Sequence, residues 1–180
     1  MTSALLPLCV DMDETLVLGD TFYRAILRLW RETPEKIPAF VAQLLEGGRP
    51  AAKAWLANIF PVQAASLPYR KELVDYLRAE KQKGRKLYLI SASTQATVDE
   101  VARHTGLFDA AYGSDEKTNL KGSRKAAFII QNISPHFAYA GDSFADLFVW
   151  NKAESAVLCG WKAWLLKPLL RGKVEALFPG

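Results

Sequence analysis

Residues 5–10, "LLPLCV", carry no charge and stop at Asp11, with Asp13 and Glu14 close behind. So short an apolar run has no polar face to turn to water, which fits a strand buried on both sides, as in a parallel sheet. Runs of the same kind recur as "KLYLIS", "HFAYAGDS" and "SAVLCG", with "AAYGS" as a shorter strand. From about residue 67 the stretches between them read as helices. That alternation predicts an α/β fold, a doubly wound parallel sheet with right-handed crossovers, in which "SAVLCG" is the last strand.

One block breaks the alternation. Residues 18–66 follow the first strand and read as helical throughout, so the expected division is a core of residues 1–17 and 67–180 with a small all-helical insertion at 18–66. "DTFYRAILRLW" starts a helix at Asp20. A second takes Thr33 as cap and Pro34 as first residue and stops at Gly47; a third, "RPAAKAWLANIFP", is bounded by Pro50 and Pro61. Phe22, Tyr23, Phe40, Trp55 and Phe60 are placed in the core of this block. In the next helix Leu73, Tyr76, Leu77 and Ala79 are expected to face inward, with Gly84 as its end.

A chain of 180 residues that is 50% hydrophobic and 23% charged can bury a core without disulfides. Cys9 and Cys159 sit in apolar runs and lack metal-site spacing, so they read as buried thiols in a reducing compartment. No basic segment precedes the first apolar run, which argues against a leader peptide, and no uncharged stretch is long enough to span a bilayer. The expected setting is the cytoplasm. The net charge of +4 is spread along the chain, without the dense basic patch of a nucleic-acid face.

Four segments fall at the C-terminal ends of predicted strands or at the starts of the helices after them, the edge where open α/β sheets bind ligands. These are "DMDET", "LISAST", "LKGSRK" and "AGDSFAD". Asp11 ends the first strand, and Asp13 reaches the same place from the turn. An ionised carboxylate is a nucleophile without an adjacent base, and a second carboxyl can protonate a leaving oxygen. Ser91, with the backbone N–H groups that follow it from Ala92 on, can cradle a phosphate. Lys121 stands at a helix start, where a cation opposes the helix dipole and suits a phosphate instead. Lys117 and Lys125 compete for that role, Lys125 being expected on the helix surface. Asp142 and Asp146 flank the turn at Gly141. Taken singly, each is equally explained as a cap or a turn residue. Together, four carboxylates on one sheet edge repel one another unless a cation such as Mg²⁺ holds them.

These four segments, in this order, resemble the motifs of haloacid dehalogenase-like (HAD) hydrolases over residues 5–160. The resemblance implies a Rossmann-like core, Mg²⁺ and a phosphomonoester hydrolase in which Asp11 forms an aspartyl-phosphate. Asp13 would be the general acid/base, with its backbone carbonyl on the metal. Ser91, Ala92 and Lys121 would hold the phosphoryl group, and Asp11, Asp13, Asp142 and Asp146 would make the metal site, Asp146 directly or from behind another ligand. Thr15 would orient Asp13. The helical block resembles the family's C1-type cap, as placed in phosphoserine phosphatases. Where the family usually has Gly after the second Asp, this chain has Glu14.

Residues 8–17 and 67–122 also resemble a subgroup fused to polyprenyltransferases of the ubiquinone-biosynthesis type. That leaves a second reading: a non-catalytic or partner-dependent phosphate-binding module associated with a membrane prenyltransferase system. The tail "WKAWLLKPLL" is expected to be a terminal helix packed on the core, the alternative being a peripheral membrane or membrane-enzyme contact. A dehalogenase is disfavoured, because a halide leaving group needs no proton from Asp13. His104 and His136 are assigned no catalytic part.

Overall fold

A computed structural model describes residues 5–115, 119–170 and 172–180. In chain order the elements are β1 (Leu8–Val10), α1 (Thr21–Glu32), α2 (Ile37–Ile59), α3 (Lys71–Gln82), β2 (Leu87–Thr94), α4 (Gln95–Thr105), β3 (Ala110–Ser114), α5 (Ser123–Asn132), β4 (Ala138–Gly141), α6 (Leu147–Trp150), β5 (Ser155–Cys159), α7 (Ala163–Leu166) and β6 (Val174–Phe178). The strands form one six-stranded sheet in the order β3-β2-β1-β4-β5-β6. Every neighbouring pair is parallel.

The apolar runs are continuous because both faces of the sheet are covered. Leu8 and Val10 enter one core cluster and Cys9 the other; Ala138 and Ala140 share the first, Tyr139 the second. Successive side chains of a strand point to opposite faces, so a strand between two helical layers has no position left for a polar residue. From β1 the chain winds outward through β2 and β3, then returns to place β4 on the other side of β1. The C-terminal ends of β1 and β4 are therefore the switch point of the sheet, where the connections diverge and leave a crevice.

Between β1 and β2 the helices build a third cluster of Phe22, Leu29, Ala52, Leu56 and Phe60, with Phe40 and Trp55 partly buried against it. Asp20 caps α1 by accepting from the backbone N–H groups of Phe22 and Tyr23. Tyr23 itself is exposed, contrary to its expected place in the core. The next two expected helices run on as α2, broken at Gly48, whose φ of 68° is non-helical. A short 3₁₀ turn, Pro34–Lys36, precedes α2. Thr33 does not cap it: its Oγ1 is buried without a hydrogen-bond partner.

Two expectations fail farther along. In α3 the buried residues are Leu73, Val74, Leu77 and Glu80, while Ala79 faces water. Glu80 is tolerated inside because Arg85 donates to it at 2.9 Å and Lys83 at 2.6 Å. The sheet also does not end at β5. The tail turns only briefly as α7 and a 3₁₀ turn, sinks Ala163, Leu166 and Leu170 into the second cluster, and reverses at Gly172 (φ +84°) into β6. β6 was illegible because "VEALF" is a half-buried edge strand with a carboxylate in it, and Glu175 is held by Arg85 at 2.7 Å. Among the described residues no helix is long and apolar enough to cross a membrane.

Candidate active site

Asp11 lies one residue beyond β1, at the switch point. Its backbone N–H continues the ladder to Ala140 O at 3.0 Å, which points the side chain into the crevice. Its Oδ1 accepts from the Met12 N–H at 2.8 Å and pairs with Lys125 Nζ at 2.9 Å. Both bonds fall on Oδ1, and Asp11 lines the cavity at the switch point.

That pairing corrects the expectation for Lys125. Rather than lying on the helix surface it is 3% exposed, and its ammonium also donates to the Tyr139 hydroxyl at 2.9 Å. Tyr139 in turn donates to Asp146 Oδ1 at 2.8 Å, so a buried chain runs from Asp11 through Lys125 and Tyr139 to Asp146. Lys121 lines the same cavity from the segment before α5. The third competitor, Lys117, lies outside the described residues.

Asp146 Oδ2 accepts from the N–H and hydroxyl of Ser143, at 3.0 and 2.7 Å, in a capping box. Capping and site-building are thus done by one residue. Asp142 is steadied by Thr15, whose hydroxyl donates to its Oδ1 at 3.2 Å. Thr15 was expected to orient Asp13, and the structure aims it at Asp142 instead. Gly141 is required by close approach: a Cβ there would stand 2.9 Å from the Asp146 carboxyl and from the Tyr139 ring.

Carboxylate oxygens of Asp11, Asp142 and Asp146 lie within 4.8 Å of one another. The Asp13 side chain is outside this group. Its Oδ1 accepts from the Thr21 N–H, at the start of α1, at 2.8 Å, and its Oδ2 from the Ser93 hydroxyl at 2.7 Å. Asp13 therefore ties the core to the helical block. The opposite wall comes from β2, which runs three residues past the predicted end at Ser91. Ser91 is 1% exposed, with its hydroxyl accepting from the Ser93 N–H at 3.1 Å, and Ala92 lines the cavity beside it. From the helical block, Lys53 reaches down to donate to Ala92 O at 3.0 Å. The cavity is about 560 Å³, with Arg49, Lys53, Lys121 and Lys162 also on its walls.

Sequence reasoning missed Tyr139, Ser93 and Lys53, and set Lys125 aside as a surface residue. Two of them carried a usable signal. Lys125 was already one of three candidate lysines, and Ser93 is two from Ser91, on the same strand face.

Glu14 sits in the turn with φ 62°, the left-handed region. This explains why glycine suits the position. The strained turn is braced from outside by the buried guanidinium of Arg70, which donates to Thr15 O and Glu14 O at 3.1 Å each. The same group holds Gly180 O beyond β6 at 2.7 Å. Glu14→Gly is expected to raise stability by about 0.5–1 kcal/mol, the relief of the left-handed strain less the entropy cost of glycine. On a thermal melt that is a rise of about 1–4 °C. An unchanged or lower midpoint would show that the Glu14 side chain earns its place through contacts.

The electrostatics of the cluster say what it lacks. Burial pushes the Asp11 carboxyl up to about 6; Lys125 pulls against this and Asp146 adds to it. Asp142 is pushed up to about 7 by burial and by the neighbouring Asp146 and Asp11. Three hard oxygen donors carrying more negative charge than Lys125 offsets suit a small divalent cation, so the residues fit Mg²⁺. Both carboxyls have folded pKa values above the ordinary 3.8. Between about pH 4 and pH 7 these two carboxyls therefore hold more protons in the folded state than in the unfolded, and their contribution to metal-free stability falls as pH rises, by a few kcal/mol. Excess Mg²⁺ is expected to raise the melting point more at about pH 7.5 than at about pH 5. An equal or larger rise at the acidic pH would contradict this reading of the cluster.

A parallel sheet with acidic residues gathered at its switch point defines a Rossmann-like α/β protein with a cation-ready site. The chain belongs to the haloacid dehalogenase-like hydrolase family: the model of that family matches residues 28–147. The uncharacterized protein y4nM of Sinorhizobium fredii (strain NBRC 101917 / NGR234) is 37% identical over 155 residues, 86% of this chain and 30% of that protein. The chain thus spans less than a third of that relative's length. Among solved structures, a HAD family hydrolase, t0658, from Salmonella enterica serovar Typhi superposes with a TM-score of 0.64 at 20% identity, covering 96% of this chain and 68% of that one. A phosphoserine phosphatase captured as a phospho-aspartyl intermediate analogue gives a TM-score of 0.60 at 14% identity, covering 99% and 95%. At these identities the structures share the fold.

Proposed function

We propose that the protein is a Mg²⁺-dependent phosphomonoester hydrolase that works through an aspartyl-phosphate on Asp11. The observation that carries this reading is the placement of Asp11 at the switch point, paired with Lys125 on one side and within 4.8 Å of Asp142 and Asp146 on the other. The phosphoserine phosphatase with the shared fold, captured as a phospho-aspartyl analogue, supports it by analogy.

In the first half-reaction Asp11 Oδ2 attacks phosphorus in line and the ester P–O bond breaks. Asp13 gives its proton to the leaving alkoxide as its carboxyl swings from Thr21 and Ser93. In the second, Asp13 takes a proton from water, the water oxygen attacks phosphorus, and the bond to Asp11 breaks to release inorganic phosphate. Ser91, the Ala92 N–H, Lys121 and Lys125 counter the charge of the phosphoryl oxygens, donors fixed before the reaction starts. Bound among Asp11, Asp142, Asp146 and the Asp13 carbonyl, Mg²⁺ would neutralise the carboxylates and polarise the phosphoryl group. Residues 18–66 act as a C1-type cap that closes the cavity through Lys53 and Arg49 and selects the substrate. Buried Cys9 and Cys159 suit a reducing, cytoplasmic setting.

The length of the Sinorhizobium relative favours one second reading, a domain that works only beside further sequence or a partner. Phosphate release from a panel of phosphomonoesters, with Mg²⁺ and with EDTA, separates the two. Mg²⁺-dependent turnover with one preferred substrate supports the hydrolase. A folded protein that binds Mg²⁺ and releases nothing supports the partner-dependent module.

A further inference from the structure

We infer that the segments after β4 and β5 form a docking face for an anionic lipid surface, set at the rim of the catalytic cavity. Six large apolar side chains stand out from these segments: Phe144 (52% exposed), Phe148 (60%), Trp161 (72%), Trp164 (60%), Leu165 (57%) and Leu169 (53%). The last four follow one another within nine residues, and the two Phe come from the neighbouring segment. β4 and β5 pair directly, and the inward residues of the two segments, Val149 and Trp150 on one and Ala163 and Leu166 on the other, enter the same core cluster. The outward residues therefore look away from one layer. A helix that is apolar on all sides belongs inside a protein, and α7 itself, AWLL, is apolar inside and out. Single exposed apolar residues need no explanation, but four in the nine residues from Trp161 to Leu169 do.

Charge points to the occupant. Residues 155–174 carry Lys162, Lys167, Arg171 and Lys173 and not one carboxylate, and although Lys173 turns back to donate to Ala153 O at 2.8 Å, Lys162 and Lys167 stand beside the indoles. The ammonium groups of Lys162 and Lys167 lie over the rings of Trp161 and Trp164, 5.4 and 5.7 Å from their centroids. Tryptophan and leucine beside lysine is the chemistry of the headgroup–acyl boundary, where indoles sit at headgroup level and lysines meet anionic phosphates. A protein interface would draw on the same aromatics but is depleted of lysine in its core. The patch is short, so it gives reversible, salt-sensitive association in which apolar contact and charge must act together. Its position gives it a use: Ser143, Ala145 and Lys162, from the same two segments, line the cavity. Docking would bring the cavity mouth to the surface.

The test is sedimentation of the full chain with vesicles of phosphatidylcholine alone or mixed equally with phosphatidylglycerol, at low and high salt. The expected result is binding to the mixed vesicles at low salt, lost at high salt and on neutral vesicles. It should weaken about tenfold or more in Trp164→Ala/Leu165→Ala, whose side chains are exposed and whose melting point should not move. Trp30→Ala, on a separate exposed face of α1, should bind like the parent. No binding to the mixed vesicles overturns the proposal. So does undiminished binding of the double variant, or loss in Trp30→Ala instead, which would move the contact to the helical block. Concentration-dependent self-association that the double variant abolishes, without vesicle binding, assigns the face to a second copy of the chain and equally overturns it.

Discussion

Asp11→Asn is expected to lower Mg²⁺-dependent phosphate release by more than about 10⁴-fold, the scale seen when a covalent nucleophile is removed. An amide oxygen is too weakly nucleophilic to form the phosphoenzyme, so both half-reactions stop. The structure says the fold should survive. Asn is the same size, and its carbonyl can still accept from the Met12 N–H and from Lys125, the two bonds that Asp11 Oδ1 makes now. One charge also leaves a crowded cluster. Asp142 is pushed up to about 7 partly by Asp11, so its carboxyl should titrate lower in the variant. Steady-state release from p-nitrophenyl phosphate, read beside circular dichroism, checks both halves. A folded Asn variant with full activity would remove Asp11 from the reaction, and with it the proposed intermediate.

The region around Asp11 is also where the sequence spoke most clearly. β1 and β4 could be read because a strand covered on both faces has nothing but apolar residues until it emerges, and the first polar residues after it, Asp11 and Asp142, mark the emergence. The parallel sheet followed from the same fact. What stayed hidden was pairing. A lysine at an inward helical position looks the same in sequence whether it snorkels to water or meets a carboxylate, so Lys125 was expected at the surface although it is 3% exposed. Tyr139 passed for one more apolar residue of its strand, since nothing in "HFAYAGDS" says that its hydroxyl bridges Lys125 and Asp146. Thr15 was close to two carboxylates in sequence terms and its true partner, Asp142, is 127 residues away. β6 was lost for another reason. Edge strands lie half in water, and their mixed composition erases the signal that identifies the central ones.

Lys125→Met is expected to cost about 10²–10³-fold in kcat, as removal of a fixed charge-stabilising donor does. Met fills the buried stem, so packing is kept and charge alone is removed. The variant leaves Asp11 without its cation. Lys125 is the largest influence holding the Asp11 pKa down against burial, so its loss must push that carboxyl above its present value of about 6. The nucleophile has to be ionised, so the acid limb of the pH–rate profile should move to higher pH, and part of the lost rate should return as pH is raised. Stability behaves differently. Breaking a buried pair by deleting one partner costs about 3–5 kcal/mol when the other charge is trapped. Here Asp11 can escape by taking up a proton, so the loss should be small at acidic pH and grow as pH rises. Lys121→Met gives the contrast, because Lys121 lines the cavity while Lys125 is the lysine that pairs with Asp11. It should weaken turnover while leaving the acid limb where it is and the melting point nearly unchanged. If instead Lys125→Met kept the acid limb and Lys121→Met moved it, the cation that tunes Asp11 during turnover would be Lys121, and the Lys125 pair would belong to the resting protein alone.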